Sequence, residues 1–248
     1  MQDLPEPATE PDGSVVVRVL SYNIRSMRDD VAALARVIRA CRPDIVCVQE
    51  APRFFRWRQA AAGLAGSCGL VYVSGGATAS GPMILSSLRA HVERTEDVLL
   101  PRTPGLHQRG FTTAVLRFGR ARLGVLSCHL SIDDQERYEQ GRLLLDRLSA
   151  LDVPYAVAAG DLNDRPDGRT FRLLANALHD GWATKPWGRE HTTRLGDPLQ
   201  RIDAVFVTEG VQVLGCGVPM GLPGVEERDL RAATDHLPVL AALRVPAA

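Results

Sequence analysis

The sequence predicts a mixed α/β (α+β) protein in which two packed β-sheets carry helices on their outer faces. Strands alternate with helices at both ends of the chain, whereas the strands between residues 91 and 128 follow one another as in an antiparallel meander. Several strands are nearly continuous apolar runs, as expected where both faces of a sheet are covered. A single open parallel sheet does not accommodate the meander; two packed sheets do. Periodic patterning runs from about residue 15 to residue 245 without a linker-like break, so one domain is expected.

Residues 15–22 are rich in β-branched side chains and read as a strand ending at Asn23-Ile24. Asp29 or Asp30 can cap the following helix, in which Val31, Leu34, Ala35, Ile38 and Cys41 recur at helical spacing, and Pro43-Asp44 stops it. Residues 45–48 form an apolar strand with Gln49 and Glu50 at its exit. A second helix is expected over residues 53–64, placing Phe54, Phe55 and Trp57 against the core rather than on an apolar surface. Strands follow near residues 70–74, 83–86, 91–99, 111–118 and 121–128. His129 leaves the last of these, and residues 133–150 continue as a helix with Leu143, Leu144 and Leu148 inward and Glu136-Arg137 on the solvated side. Residues 155–159 form a buried strand that stops at Gly160 and then offers Asp161 and Asn163. Alternation lets both side chains face one point, although Asp and Asn after a strand also form turns by bonding their own backbone. A short helix at 170–178, strands at 201–207 and 211–218, a loop at 219–234 and a strand at 238–245 complete the chain.

Formal net charge is zero, which removes the broad basic footprint of many nucleic-acid binders but leaves room for a local patch. Of the 29 basic residues only Lys185 is a lysine; arginine's planar fork suits phosphate, though GC-rich coding gives the same bias. Cys41, Cys47, Cys68, Cys128 and Cys216 are widely spaced in mostly apolar surroundings and read as reduced core residues, with no CxxC pair to suggest zinc. Residues 1–14, acidic and proline-rich, are expected to be a disordered leader before a catalytic domain at 15–248. They lack the features of a signal peptide, and no run reaches the ~18 apolar residues of a membrane span, so a soluble cytoplasmic protein with no transmembrane segment is expected.

The polar residues at strand ends are Asn23, Glu50, His129, Asp161, Asn163, Asp203, Asp235 and His236. Carboxylate and amide oxygens without sulfur favour a hard cation, Mg²⁺ first and Mn²⁺ as its substitute. Tyr22-Asn23-Ile24, Gln49-Glu50, Cys128-His129-Leu130, Gly160-Asp161-Leu162-Asn163, Arg201-Ile202-Asp203 and Thr234-Asp235-His236-Leu237-Pro238-Val239 resemble, in order, the motifs of the endonuclease/exonuclease/phosphatase superfamily, metal-dependent phosphoesterases related to deoxyribonuclease I-like nucleases and sphingomyelinases.

The resemblance implies a four-layered sandwich and metal-dependent hydrolysis of phosphate esters. It makes Glu50 the main metal carboxylate, with Asn23 at the metal or phosphate and Asp235 assisting there. Asp161 would orient and deprotonate water, and Asn163 would hold phosphate or water. His129 and His236 would contact phosphoryl oxygens from opposite sides, and Asp203 would fix the tautomer of His236. Arg109, before Gly110 at a strand start, would reach a substrate phosphate. Trp182 and Trp187 either stack on a base or pack internally. The expected reaction is phosphodiester cleavage, with DNA or RNA first among substrates, a small-molecule or lipid phosphoester as the alternative, and an inactive binding module of the same fold as the second alternative.

Overall fold

The computed structural model describes residues 4–196 and 199–247. In chain order its strands are β1 (Ala8–Thr9), β2 (Val15–Asn23), β3 (Ile45–Gln49), β4 (Val71–Gly75), β5 (Met83–Ser86), β6 (His91–Leu99), β7 (Gly110–Phe118), β8 (Ala121–His129), β9 (Ala156–Asp161), β10 (His179–Asp180), β11 (Asp203–Val207), β12 (Gln212–Gly217) and β13 (Val239–Val245). Its helices are α1 (Val31–Cys41), α2 (Trp57–Cys68), α3 (Asp134–Ser149), α4 (Arg169–Ala177), α5 (Gly181–Thr184) and α6 (Glu227–Ala233). One sheet runs β12-β13-β2-β3-β5-β4, with β1 added beside the start of β2, and the other runs β10-β11-β9-β8-β7-β6.

The two-residue strand period sorts side chains into the layers. Val15, Val17, Val19, Ile45 and Cys47 of the first sheet meet Val125, Val157, Ala159, Val205 and Val207 of the second in a buried layer between the sheets. The opposite face of the first sheet, with Leu20, Tyr22, Val46 and Val48, packs under α1, α2 and α6. Leu126, Ala158 and Phe206 of the second pack under α3 and α4. These layers are the expected four-layered sandwich, helix, sheet, sheet, helix.

Gly160 allows β9 to pair closely with β8: a Cβ there would lie 2.0 Å from the Cys128 carbonyl oxygen. All five cysteines are free and buried, as expected. No helix among the described residues is long and apolar enough to cross a membrane.

The structure differs from the sequence reading in four places. Residues 4–14 are not a disordered leader: Leu4 is buried, Ala8 and Thr9 pair with Val16 and Val15, and the Arg18 guanidinium donates to the carbonyls of Leu4 and Pro5. Residues 1–3 of that leader lie outside the described residues. Helix α2 begins at Trp57 rather than Arg53, because Arg56 takes a left-handed conformation (φ 59°) that breaks any earlier turn, and Phe54 and Phe55 face solvent. Helix α6 occupies part of the expected loop. On α3, Arg137 is buried and both Glu136 carboxylate oxygens are shielded from water, so that pair is no solvated face.

Candidate active site

The layer between the sheets turns polar at one end. Continuing the inward-facing series of each strand, Val19 gives way to Ser21 and Asn23, Cys47 to Gln49, Val125 to Ser127 and His129, Ala159 to Asp161, and Val205 to Asp203. Register then aligns these ends: Asn23 lies opposite Gln49, His129 opposite Asp161, and Asp161 opposite Asp203. The sheets thus deliver a row of polar side chains to one edge of the sandwich. Ser21, Gln49 and Ser127 form the buried step beneath it, with Gln49 Nε2 donating to the Cys47 carbonyl at 2.9 Å.

Strand alternation alone would turn Glu50 toward the helix layer. A left-handed backbone (φ 53°) redirects it into the cleft, and strain of this kind in a non-glycine residue recurs at functional sites. Asn163 (φ 50°) departs in the same way beyond β9. Its backbone N–H donates to Asp161 Oδ1 at 2.9 Å, so the turn role of an Asp-x-Asn pair is present, and both residues still line the cleft.

Asp161 Oδ2 is the hub. Asn23 Nδ2 donates to it at 3.1 Å, and His129 Nε2 and His236 Nε2 lie 3.4 Å and 3.7 Å away. The same Asn23 nitrogen is 3.3 Å from Glu50 Oε1, while Asn23 Oδ1 accepts from the Arg25 backbone. Asn23 therefore turns a donor, not an oxygen, toward the two carboxylates. His236 Nδ1 meets Asp203 Oδ2 at 3.0 Å, the pairing that the family resemblance implied. Thr192, which no motif flagged, fixes that partner by accepting the Asp203 backbone N–H on Oγ1 at 3.1 Å.

Arg109 is largely buried at the cleft wall, and its Nε has no hydrogen-bond partner among the described residues. Asp235 does not line the cleft; its carboxylate is held by Arg25 Nε at 3.2 Å and by the Thr234 hydroxyl. The open cleft of about 350 Å³ also takes in Ser26, Arg28, Arg53, Ser80, His107 and Ile132, all missed by the sequence reading because they sit in irregular connections. Trp187 is buried in the helix-side core, and Trp182 packs on Gly217, so neither tryptophan is a cleft platform.

Burial alone pushes both imidazoles toward the neutral form. At His129 burial prevails over the attraction of Asp161, with Arg109 and His236 adding to it, and the pKa drops to about 4. At His236 burial is outweighed by Asp203, as charge and as hydrogen-bond partner, with Asp161 and Asp235 adding to it, and the pKa rises to about 10. Burial also lowers the pKa of Arg109, against the pull of Asp161 and Glu50.

Two overlapping groups can hold a metal. Glu50 and Asp161 offer hard carboxylate oxygens to the cleft on either side of Asn23. Asp161, Asp203 and His236 offer ligand atoms within 4.8 Å of one another. In the second group Asp203 and His236 already engage each other, so the carboxylates beside Asn23 fit a hard divalent cation better.

The sequence profile described as "Endonuclease/Exonuclease/phosphatase family" matches residues 20–236. Among solved structures, the Bacteroides thetaiotaomicron mannosyl-6-phosphatase superposes with a TM-score of 0.76 at 18% identity, covering 92% of this chain and 99% of that one. An endonuclease/exonuclease/phosphatase from Beutenbergia cavernae gives 0.72 at 25% identity, over 93% and 72%. Truncated TDP2 of Caenorhabditis elegans gives 0.69 at 18%, over 92% and 97%. No curated protein matches.

Proposed function

The chain belongs to the endonuclease/exonuclease/phosphatase family, and on that premise we propose that it is a Mg²⁺-dependent hydrolase of phosphodiester bonds. The observation that carries this proposal is the convergence on Asp161 Oδ2 of Asn23, His129 and His236, with Glu50 at the other side of Asn23. An anionic diester requires a nucleophile formed at neutral pH, neutralised phosphoryl oxygens and a stabilised leaving oxygen. Asp161 accepts the proton of the attacking water, and Asn163 positions phosphate or water. His236, cationic at neutral pH, balances charge on a phosphoryl oxygen, while neutral His129 donates a hydrogen bond from the other side. Asp203 holds the tautomer of His236. Glu50, beside Asp161, would hold the cation, with Asn23 fixing the two carboxylates through its amide donor. Asp235, paired with Arg25 outside the cleft, acts on the site by favouring the charged form of His236. When bound, Mg²⁺ or Mn²⁺ neutralises phosphate charge and acidifies water. Arg109, whose side chain lines the cleft, offers its guanidinium to a phosphoryl oxygen. Free cysteines agree with a cytoplasmic protein.

DNA or RNA remains the first substrate class of this proposal, supported by Arg28, Arg53 and Arg109 on one cleft. Arg25 and Arg165 do not extend that path: Arg25 pairs with Asp29 and Asp235, and Arg165 lines a separate groove. A small-molecule or lipid phosphoester is the second class, favoured by the exposed Phe54 and Phe55, which follow the cleft residue Arg53 in the chain. A binding-only module is disfavoured by the complete set of reactive side chains. The test is a metal-dependence screen on plasmid, single-stranded DNA, RNA, a chromogenic phosphodiester and sphingomyelin. EDTA should silence turnover, Mg²⁺ or Mn²⁺ should restore it, and Glu50→Gln should cost at least ~100-fold with the fold intact. Full turnover after stringent chelation, or a wild-type rate in Glu50→Gln, overturns the metal assignment.

A further inference from the structure

Between Glu50 and Glu93 this neutral chain carries no acidic residue, but it carries Arg53, Arg56, Arg58 and Arg89. The first three surround the connection from β3 to α2, which closes on the left-handed Arg56. Trp57 anchors the connection, its ring 6.4 Å from that of Tyr72 and close against Gly76. Phe54 and Phe55, just before this anchor, are 81% and 89% exposed. Arg56 sits over the Phe55 ring at 5.1 Å, and Arg58 over Trp57 at 4.3 Å.

Two adjacent phenyl rings held in water contribute nothing to the core, and their position is not remote. Arg53, next to Phe54, lines the cleft from the β3 side, and Ile132, 70% exposed, lines it from the β8 side. Ile132 is thus an exposed apolar side chain of the cleft lining, and Arg53 of the same lining is followed directly in the chain by the exposed aromatic pair, with Arg56 and Arg58 close behind. A base-stacking platform presents the face of a ring backed by protein, and an aliphatic Ile132 adds nothing to stacking. Insertion below a headgroup layer uses aromatic and aliphatic tips alike, and the flanking arginines then lie at the depth of anionic phosphates. With no membrane-spanning helix among the described residues, such contact is peripheral.

We propose that the Phe54-Phe55 turn and its surrounding arginines dock the protein on an anionic lipid surface, with the mouth of the cleft toward the bilayer. Docking requires no chemistry; that it presents lipid phosphoesters to the cleft rests on the hydrolase proposal above. The test is flotation of the full chain with vesicles of phosphatidylcholine alone and of phosphatidylcholine mixed with phosphatidylserine, alongside turnover of a soluble chromogenic phosphodiester. Wild type should float with the mixed vesicles. Phe54→Ser/Phe55→Ser and, separately, Arg56→Asn/Arg58→Gln should each reduce partitioning at least ~10-fold while leaving soluble turnover unchanged. Phe55→Trp should give emission quenched by bromine placed on the acyl chains. Absence of flotation, flotation indifferent to the phenylalanine pair, or loss of single-stranded DNA binding instead of vesicle binding in that variant overturns the docking proposal. Loss of soluble diester turnover in wild type would strike the hydrolase proposal and leave docking intact.

Discussion

At His236 a carboxylate decides a contest that burial wins at His129. Asp203 lies 33 residues away in sequence and reaches the imidazole only because β11 begins beside the end of β9. The types of both histidines and their strand-end positions were legible in the motifs. Their opposite charge states were not, because each depends on neighbours contributed by other strands. With the folded pKa of His236 raised to about 10, above the ~6.5 of an unfolded chain, the pairing stabilises the fold fully below ~6.5 and loses that contribution as pH rises through about 10. Asp203→Asn removes the main force opposing burial. The His236 pKa should then fall, the alkaline limb of activity should move to lower pH, and turnover should drop by ~10²-fold with metal binding retained. Imidazole NMR titration and a pH-rate profile measure both effects. His236→Ala should cost more, and the double variant little beyond it; single-variant losses that multiply in the double would end the idea of a coupled pair.

Elements position these groups through features of uneven legibility. The apolar strand runs and the three-turn spacing of α1 are regular and were read correctly, including Asp30, whose carboxylate caps Ala32 and Ala33. Helix α6 was missed because seven residues give little periodicity, and only Asp229, Leu230 and Ala233 are buried on it. Helix α4 hides its cap differently. Its capping position is Gly168, which has no side chain to offer, and Asp164 reaches across instead. Asp164 Oδ2 accepts the N–H groups of Thr170 and Phe171 at 2.9 Å and 3.0 Å, and Oδ1 accepts that of Arg165. Asp164→Ala would leave two buried donors unpaired, so it should cost about 1–3 kcal/mol of stability in urea unfolding. Asp164→Asn retains an acceptor and should lose less. A change within about 0.5 kcal/mol for the alanine variant, typical of an ordinary surface site, would contradict the remote cap.

On the scale of the whole molecule, the two-sheet sandwich was readable because side-chain alternation propagates through every strand, whereas the docking of residues 4–14 includes, besides β1 pairing and Leu4 burial, a long-range partner that no periodicity reveals. Arg18 shares the helix-side parity of Leu20 and Tyr22, yet it is only 2% exposed. An arginine within an apolar strand signals missing acceptors, and the sequence does not say where they lie. The structure supplies them: Nε donates to the Pro5 carbonyl at 2.9 Å, Nη2 to Leu4 at 2.6 Å and Nη1 to Cys41 at 3.2 Å, while Glu6 lies 3.4 Å away. Removing residues 1–10 would take away three of these four partners and leave a buried charge poorly compensated. Such a loss should cost about 3–5 kcal/mol, whereas replacing a buried ion and its partners together with apolar groups is close to neutral. Truncation should therefore lower the urea midpoint sharply in the wild-type background and much less when Arg18→Met is also present, a coupling that a double-mutant cycle isolates. Equal losses in the two backgrounds would mean that the segment stabilises the fold through β1 pairing and Leu4 burial alone, and that Arg18 does not fasten it.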